Sequence, residues 1–239
     1  MFFQGNYQSE VLRRKKGFVV VMPDKVNKET AVLVLLHGVG SDELDWTLNT
    51  PLVRYANEYN TAFFCPAAEN SFYTDHADGE NYGQALGEEF LDVMAQRFAL
   101  DFHRENVSIA GFSMGGYGAV LLGLRFANRY HRIGGFSPAF IFYKKDRADD
   151  LYRQVFSKGD TSSENDCLIR YKEVLLSGKP LPEIQLTCGT EDPLLAPTEE
   201  FIRAVGKLDP LAAIEWFTQP GFHDYGLWEQ DLLHFLKTA

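Results

Sequence analysis

The stretch "GFSMGGYG", residues 111 to 118, holds four glycines and one serine in eight positions. It follows "NVSIA", whose apolar residues predict a buried strand, and it leads into a helical pattern over 117–127. Residues 111–115 match G-x-S-x-G, which between a strand and a helix holds a serine on a tight, strained turn. Because glycine has no side chain, the strand and the helix can approach each other closely there. The stretch therefore predicts an α/β fold with Ser113 as a candidate nucleophile, although an idle serine capping a glycine-rich helix start is the alternative.

Strand-like and helical patterns alternate along the rest of the chain. Apolar runs typical of strands cover 31–36, 61–66, 107–112, 133–138, 184–189 and 213–218. Helical patterns cover 86–99, 117–127, 197–208 and 225–237. The runs "YQSEVL" and "GFVVVMP" near the N-terminus indicate an antiparallel hairpin. This order predicts one α/β domain over 1–239, with a mostly parallel central sheet and helices on both of its faces.

Two polar segments interrupt this pattern. The basic run "RRKKG", from Arg13 to Gly17, lies between the two strands of the hairpin, and we interpret it as a solvated turn. The segment 139–181 is charged and too long for an ordinary connection between two strands. We expect it to be a partly helical insertion. Two interpretations of its role stay open, a cap over the site and a peripheral excursion.

A serine nucleophile needs a base and an acid, and the chain offers both at the ends of predicted strands. His223, in "QPGFHDYGLW", lies between the last strand and the last helix, where functional groups of a parallel sheet gather. Asp192, in "TCGTEDPLLAP", lies between Ser113 and His223, as the chain order Ser…Asp…His requires. Glu191 is its rival, and Asp224 is expected to cap a helix. Ser113, Asp192 and His223 are therefore the predicted catalytic residues.

The loop in "LLHGVGSDELDW", residues 35 to 46, follows another buried strand with a His-Gly-x-Gly turn. Such a loop can present a backbone amide to an oxyanion, while a second amide comes from the residue after the nucleophile. We assign these two donors to the N–H groups of Val39 and Met114. His37 is expected to brace the loop. The alternative is a plain glycine turn.

Composition excludes several function classes. The net charge of −10 gives no broad attraction to nucleic acid or to anionic lipid. The three cysteines, Cys65, Cys167 and Cys188, have no spacing typical of zinc sites or disulfide frameworks. No segment is typical of a signal peptide or of a membrane span. We therefore expect a cytoplasmic protein without metal or cofactor, and a homo-oligomer is left open.

Five motifs together resemble the putative esterase family of α/β-hydrolases: "LLHGVG", "SFYTDHADGENYG", "GFSMGGYGA", "CGTEDPLL" and "GFHDYGLW". The family includes tributyrin esterases, S-formylglutathione hydrolases, feruloyl esterases and mycolyl transferases, and the small bacterial tributyrin esterases are the most similar. The resemblance implies the α/β-hydrolase fold and cofactor-free hydrolysis of short acyl esters through an acyl-enzyme on Ser113. It also brings Phe72 and Tyr73 near the site, where substrate contact and packing are both open. Trp46 is a candidate substrate contact too, although packing beneath the oxyanion loop is expected.

The leading hypothesis is a serine carboxylesterase for short-chain acyl esters, with acylated sugars and feruloyl esters among the candidate substrates. A thioesterase of the S-formylglutathione hydrolase type and an acyltransferase would use the same three residues. A hydrolase-fold binding protein with an unused triad is the alternative outside the enzymes. The expected partner is a small-molecule ester, with no nucleic acid and no membrane.

Overall fold

The computed structural model describes residues 1–76, 78–141, 152, 155–156 and 164–238. Its strands are β1 (Phe2–Ser9), β2 (Arg14–Val21), β3 (Ala31–Leu36), β4 (Thr61–Pro66), β5 (Val107–Phe112), β6 (Arg132–Phe136), β7 (Glu183–Gly189) and β8 (Ile214–Gln219). Together they form a single sheet of the order β1-β2-β4-β3-β5-β6-β7-β8. The pairs β1–β2 and β2–β4 are antiparallel, and the other neighbours are parallel. The predicted parallel sheet with an N-terminal antiparallel hairpin is confirmed.

Seven helices of the described part pack against this sheet. They are α1 (Asp45–Asn49), α2 (Leu52–Glu58), α3 (Phe90–Arg97), α4 (Met114–Arg125), α5 (Cys167–Ser177), α6 (Leu195–Leu208) and α7 (Tyr225–Lys237). Apolar side chains of α3, α4, α5 and α6 pack on one face of the sheet, and those of α1, α2 and α7 pack on the other. Alternate residues of β3 therefore enter the two hydrophobic cores on opposite faces of the sheet. Val34 belongs to the core beneath α3–α6, and Leu35 belongs to the core beneath α1, α2 and α7. This two-sided burial explains why β3 has no polar residue.

The helix predicted over 86–99 is only partly regular. Its α-helical part is α3, and it is preceded by a π-helical segment, Ala85–Glu89, and a helical turn, Tyr82–Gln84. Phe90 and Met94, on the apolar face of this pattern, are fully buried in the core. Periodicity alone does not distinguish an α-helix from the slightly wider π-helix, because both place residues three to five apart on one face.

The prediction of a solvated basic turn was wrong for most of the run. Arg13 lies in the exposed hairpin turn, but the rest of the run is part of β2, which begins at Arg14. Arg14 pairs with Glu80, while Lys16 is 2% exposed and pairs with Glu69. A buried lysine is tolerated when an opposite charge and an apolar surface receive it, and the ring of Tyr82 supplies that surface for Lys16. The sequence of the run alone did not reveal these partners.

The middle of the predicted insertion 139–181, apart from residues 152, 155 and 156, lies outside the described residues between 142 and 163. The described C-terminal part of the insertion contains α5, so a helical portion is present. The Asp166 side chain accepts from the N–H groups at the start of α5, and Gly178 ends the helix in a left-handed conformation, with φ of 69°. Whether the insertion caps the site stays a prediction. Among the described residues, no helix has the length and apolar character that a membrane span requires.

Candidate active site

The candidate nucleophile lies at the junction of β5 and α4. Ser113 has φ of 55° and ψ of −117°, a strained conformation for a residue other than glycine. Its N–H donates to Phe136 O at 2.9 Å, which ties the turn to the neighbouring strand β6. A Cβ on Gly111 would lie 2.6 Å from Gly115 O, and one on Gly115 would lie 2.4 Å from Leu36 O. Only glycine therefore permits this approach of strand, helix and oxyanion loop.

Ser113, His223 and Asp192 form a continuous hydrogen-bonded chain. His223 Nε2 lies 2.9 Å from Ser113 Oγ, and His223 Nδ1 lies 2.8 Å from Asp192 Oδ2. The three residues follow β5, β8 and β7, whose carboxyl ends meet at one edge of the sheet. The serine and histidine are partly exposed, whereas the aspartate side chain is fully buried. The arrangement can transfer a proton from the hydroxyl to the imidazole while the carboxylate orients the ring.

Asp192 is held as a carboxylate in the interior. Burial opposes its ionisation, but hydrogen bonds from His223, from the Leu194 N–H and from Ser137 outweigh this effect and lower the pKa of Asp192. The Leu194 N–H lies 2.8 Å from Asp192 Oδ1, which leaves Oδ2 to the histidine. The rival carboxylate, Glu191, is exposed and accepts from the Thr190 hydroxyl. The structure thus places Asp192, and not Glu191, on the imidazole.

His223 is positioned by the start of α7. The Asp224 side chain accepts from the Leu227 N–H at 3.2 Å and so caps this helix, as predicted. The ring of Trp228, one turn into the helix, meets the His223 ring edge to face, with centroids 4.9 Å apart. The imidazole therefore lies between the Asp192 carboxylate and an aromatic support.

Two backbone N–H groups, those of Val39 and Met114, are the predicted oxyanion donors. Among the described residues, neither the Val39 N–H nor the Met114 N–H has a hydrogen-bond partner. Met114 is the first residue of α4, so its N–H carries the partial positive charge of a helix start. The adjoining Gly40 N–H is fixed by Asn70 Oδ1 at 2.7 Å. The loop and the helix start meet closely, because a Cβ on Gly115 would lie 2.4 Å from Leu36 O and 2.7 Å from His37 O. Their joint use as an oxyanion hole stays a prediction.

His37 braces the oxyanion loop, as the sequence predicted. Its Nε2 accepts from the Ala68 N–H at 3.0 Å, so its proton is on Nδ1, which donates to Gly38 O at 2.8 Å. Burial lowers the pKa of His37, which favours this neutral form. The Tyr73 hydroxyl donates to His37 O at 2.9 Å and fixes the loop from a second side.

The candidate substrate contacts Phe72, Tyr73 and Trp46 are interior residues. Their exposed fractions are 0%, 0% and 1%, so the expectation of direct substrate contact is corrected to packing. Phe72 lies against Phe156, and the Trp46 indole N–H donates to Leu36 O beneath the oxyanion loop. The motif resemblance brought these residues near the site correctly but did not indicate which way each side chain faces.

Tyr73 also explains the last glycine of the opening stretch. A Cβ on Gly118 would lie 2.2 Å from the Tyr73 ring, so the tyrosine occupies the space that a side chain of α4 would fill. Phe72 and Tyr73 both have a positive φ, 52° and 58°, which turns the chain sharply over this helix. Part of the glycine pattern therefore serves packing rather than the nucleophile.

Ser137 was not among the predicted site residues, although its side chain helps to lower the pKa of Asp192. The signal that could have found it is a repeat, because "IAGFS" at 109–113 recurs as "IGGFS" at 133–137. The described residues include no group of three or more His, Cys, Asp or Glu side chains that could hold a metal ion.

The eight-stranded sheet, its helices and the Ser–His–Asp geometry define the chain as an α/β-hydrolase. The family profile of putative esterases matches residues 9–168. The chain is 29% identical over 252 residues to an acetyl esterase of Caldicellulosiruptor saccharolyticus, and the match covers 95% of this chain and 93% of that protein.

Two solved structures extend this likeness. FphF, a fluorophosphonate-binding serine hydrolase of Staphylococcus aureus solved with substrate bound, is 26% identical with a TM-score of 0.89, covering 100% of this chain and 97% of that one. The S-formylglutathione hydrolase FrmB of Staphylococcus aureus is 25% identical with a TM-score of 0.87, covering 100% and 98%. The chain belongs to the putative esterase family and is a carboxylic ester hydrolase.

Proposed function

We propose that this chain is a serine carboxylesterase that hydrolyses short-chain acyl esters, acetyl esters foremost, through an acyl-enzyme on Ser113. The observation that carries the proposal is the unbroken chain of hydrogen bonds from Ser113 Oγ through His223 to Asp192. A hydroxyl beside a neutral imidazole, whose other nitrogen is held by a buried carboxylate, is the arrangement that activates serine for attack on a carbonyl.

The first half of the reaction acylates the enzyme. Ser113 Oγ attacks the ester carbonyl carbon while His223 Nε2 takes the hydroxyl proton. The carbonyl oxygen becomes an oxyanion that accepts from the Val39 and Met114 N–H groups. As the tetrahedral intermediate collapses, the bond to the alcohol oxygen breaks and His223 gives that oxygen its proton. The alcohol leaves, and the acyl group stays on Ser113.

The second half releases the acid. A water molecule gives a proton to His223 and attacks the acyl carbon, and the same two N–H groups hold the second oxyanion. Collapse returns the proton to Ser113 Oγ and frees the carboxylic acid. Because the pKa of Asp192 is lowered, the carboxylate keeps its charge on mild acidification.

The preference for acetyl esters rests on the similarity to the acetyl esterase of Caldicellulosiruptor saccharolyticus. The similarity to the S-formylglutathione hydrolase FrmB supports a second candidate, hydrolysis of a small acyl thioester. Both reactions transfer a short acyl group to the same serine, and they differ only in the leaving atom. The apolar side chains Val39 and Phe222, which adjoin the oxyanion donor and His223, are exposed by 41% and 64% and can contact either substrate.

One substrate panel tests both candidates. Purified protein is assayed with p-nitrophenyl acetate, butyrate and octanoate, an acetylated sugar, a feruloyl ester and S-formylglutathione, with Ser113→Ala as the blank. We expect kcat/KM to be highest for acetyl esters and to fall with acyl chain length. A higher kcat/KM for the thioester would select the second candidate, and product partition toward added alcohols would indicate an acyltransferase. No turnover of any substrate, together with no labelling of Ser113 by a fluorophosphonate, would refute the proposal.

A further inference from the structure

A second serine of unusual conformation lies at the carboxyl end of β6. Ser137 is fully buried and has φ of 46°, in the left-handed region that glycine adopts without strain. Its N–H donates to Thr187 O at 2.8 Å, which fixes its backbone to β7. An observed strained residue beside an active site points to a use for its side chain.

The hydrogen bonds of the Ser137 hydroxyl have a definite direction. The indole N–H of Trp228 lies 3.3 Å from Ser137 Oγ, and an indole nitrogen can only donate. The serine oxygen therefore accepts this bond, and its own proton remains for another acceptor. The Cys188 thiol, whose Sγ lies 3.9 Å away, is itself a donor to this oxygen. The Asp192 carboxylate, whose pKa Ser137 helps to lower, is therefore the acceptor that we infer for the serine proton.

The same contacts connect the acid with the base. Trp228 supports the His223 ring edge to face, at 4.9 Å between centroids, and it stacks on Phe112 with centroids 4.2 Å apart. Ser137 thus lies beside Asp192 and also contacts Trp228, the residue that supports the His223 ring.

We propose that Ser137 is a positioning residue of the triad. Its hydroxyl accepts a hydrogen bond from Trp228 and donates one to Asp192, and it so fixes Asp192 and the aromatic support of His223 relative to each other. The inference deepens the proposed function and rests on it. Without the hydroxyl, Asp192 loses one of its three donors and Trp228 loses its acceptor. The carboxylate and imidazole then spend less time aligned with Ser113, which lowers the rate of acylation rather than the affinity for ester.

Two variants separate the hydroxyl from the backbone strain. Ser137→Ala removes the hydroxyl and keeps a Cβ at positive φ, while Ser137→Gly removes the hydroxyl and relieves the strain, so it favours folding. With p-nitrophenyl acetate, we expect kcat to fall about tenfold in both variants, on the scale of one hydrogen bond to a charged group, and KM to stay unchanged. The rate of Ser113 labelling by a fluorophosphonate should fall by the same factor.

Two controls complete the series. Trp228→Phe keeps an aromatic support for His223 but removes the N–H, so kcat should fall only about twofold to threefold. Ser9→Ala removes another buried hydroxyl, which donates to Glu89 Oε2 at 2.6 Å, and should leave kcat unchanged.

The inference is overturned if both Ser137 variants keep wild-type kcat, if they change only KM, or if the glycine variant is fully active while the alanine variant is not. Circular dichroism verifies that each variant is folded. These results differ from failure of the proposed function, in which the wild-type protein itself neither hydrolyses the ester nor reacts with the fluorophosphonate.

Discussion

The ends of β5 and β6 are built from nearly the same five residues, "IAGFS" at 109–113 and "IGGFS" at 133–137. The two strands are parallel neighbours, and these stretches pair in register from Ile109 with Ile133 to Phe112 with Phe136. Ser113 and Ser137 both have a left-handed backbone, with φ of 55° and 46°. Each serine N–H donates to a carbonyl of the next strand.

The two strand ends differ in the residue after the serine and in the groups that cover it. Met114 starts α4 and offers an N–H without a partner among the described residues, whereas Pro138 has no N–H to offer. Ser113 is partly exposed beside His223, while Ser137 is buried beneath Trp228. One backbone conformation thus serves two roles, because reactivity depends on solvent access, a base and an oxyanion donor rather than on φ alone.

The largest expected effect is the loss of activity when the Ser113 hydroxyl is removed, compared with the smaller loss when the Ser137 hydroxyl is removed. Ser113→Ala should lower kcat for p-nitrophenyl acetate by at least about 10⁴-fold, because no other group can carry the acyl intermediate. Ser137→Ala should cost only about tenfold. Steady-state kinetics on folded variants checks both, and comparable losses in the two variants would contradict the division of roles.

The next effect concerns the residue after the serine. Met114→Pro gives Ser113 a following residue without an N–H, as Pro138 is for Ser137. Proline is accepted at the first position of a helix, so the fold should tolerate the change. Since the substitution removes the proposed oxyanion donor, kcat should fall about 10²–10³-fold relative to Met114→Ala, which loses the buried side chain but keeps the N–H. If the two variants are equally active, the Met114 N–H is not an oxyanion donor.

The paired glycines before the two serines should respond unequally. A Cβ at Gly111 would meet the backbone of Gly115 and Leu36 at 2.6–2.7 Å, whereas one at Gly135 would meet the ends of the Leu186 and Val120 side chains at 2.8 and 3.2 Å. Side chains can move and the backbone cannot. We expect Gly111→Ala to lower the free energy of unfolding by about 3 kcal/mol and Gly135→Ala by about 1 kcal/mol. Urea denaturation measures both, and equal losses would contradict the argument.

The smallest expected effect is a pH dependence of stability that arises from Asp231, a residue of α7, which packs against β7. Asp231 is fully buried, and burial raises its pKa to about 7, with Asp192 acting in the same direction and His234 against it. Its Oδ1 accepts from Gln219. Because the folded pKa lies above the unfolded one, the native state keeps a proton that the unfolded state has lost between about pH 4 and 7. Rising pH therefore lowers the free energy of unfolding across this range, and the loss is complete above pH 7.

Asp231→Asn removes this titration while keeping an oxygen for Gln219. We compare the free energy of unfolding of the variant with that of the wild type. The difference, variant minus wild type, should increase by at least about 1 kcal/mol from pH 4 to pH 8, because only the wild type loses stability over this range. Denaturation at several pH values checks it. A difference that does not vary with pH would mean that Asp231 is ionised in the native state throughout.

The local pattern of the chain determined most of the fold and which three residues form the Ser–His–Asp hydrogen-bonded chain. Strands such as 31–36, 61–66 and 107–112 are apolar throughout, and their order along the chain, with helices between them, dictates a parallel sheet. Because parallel strands end at one edge, residues that follow different strands meet there. That is why Ser113, Asp192 and His223 could be named without coordinates.

Only the tertiary structure decided contacts that depend on side-chain direction and on distant partners. Lys16 is buried because Glu69 and Tyr82, far along the chain, receive its charge. Phe72 and Tyr73 face the interior rather than the substrate, and Ser137 reaches Asp192 across two strand ends. Such contacts arise from packing among many segments, whereas sequence pattern reports only which residues share a strand or a helix face.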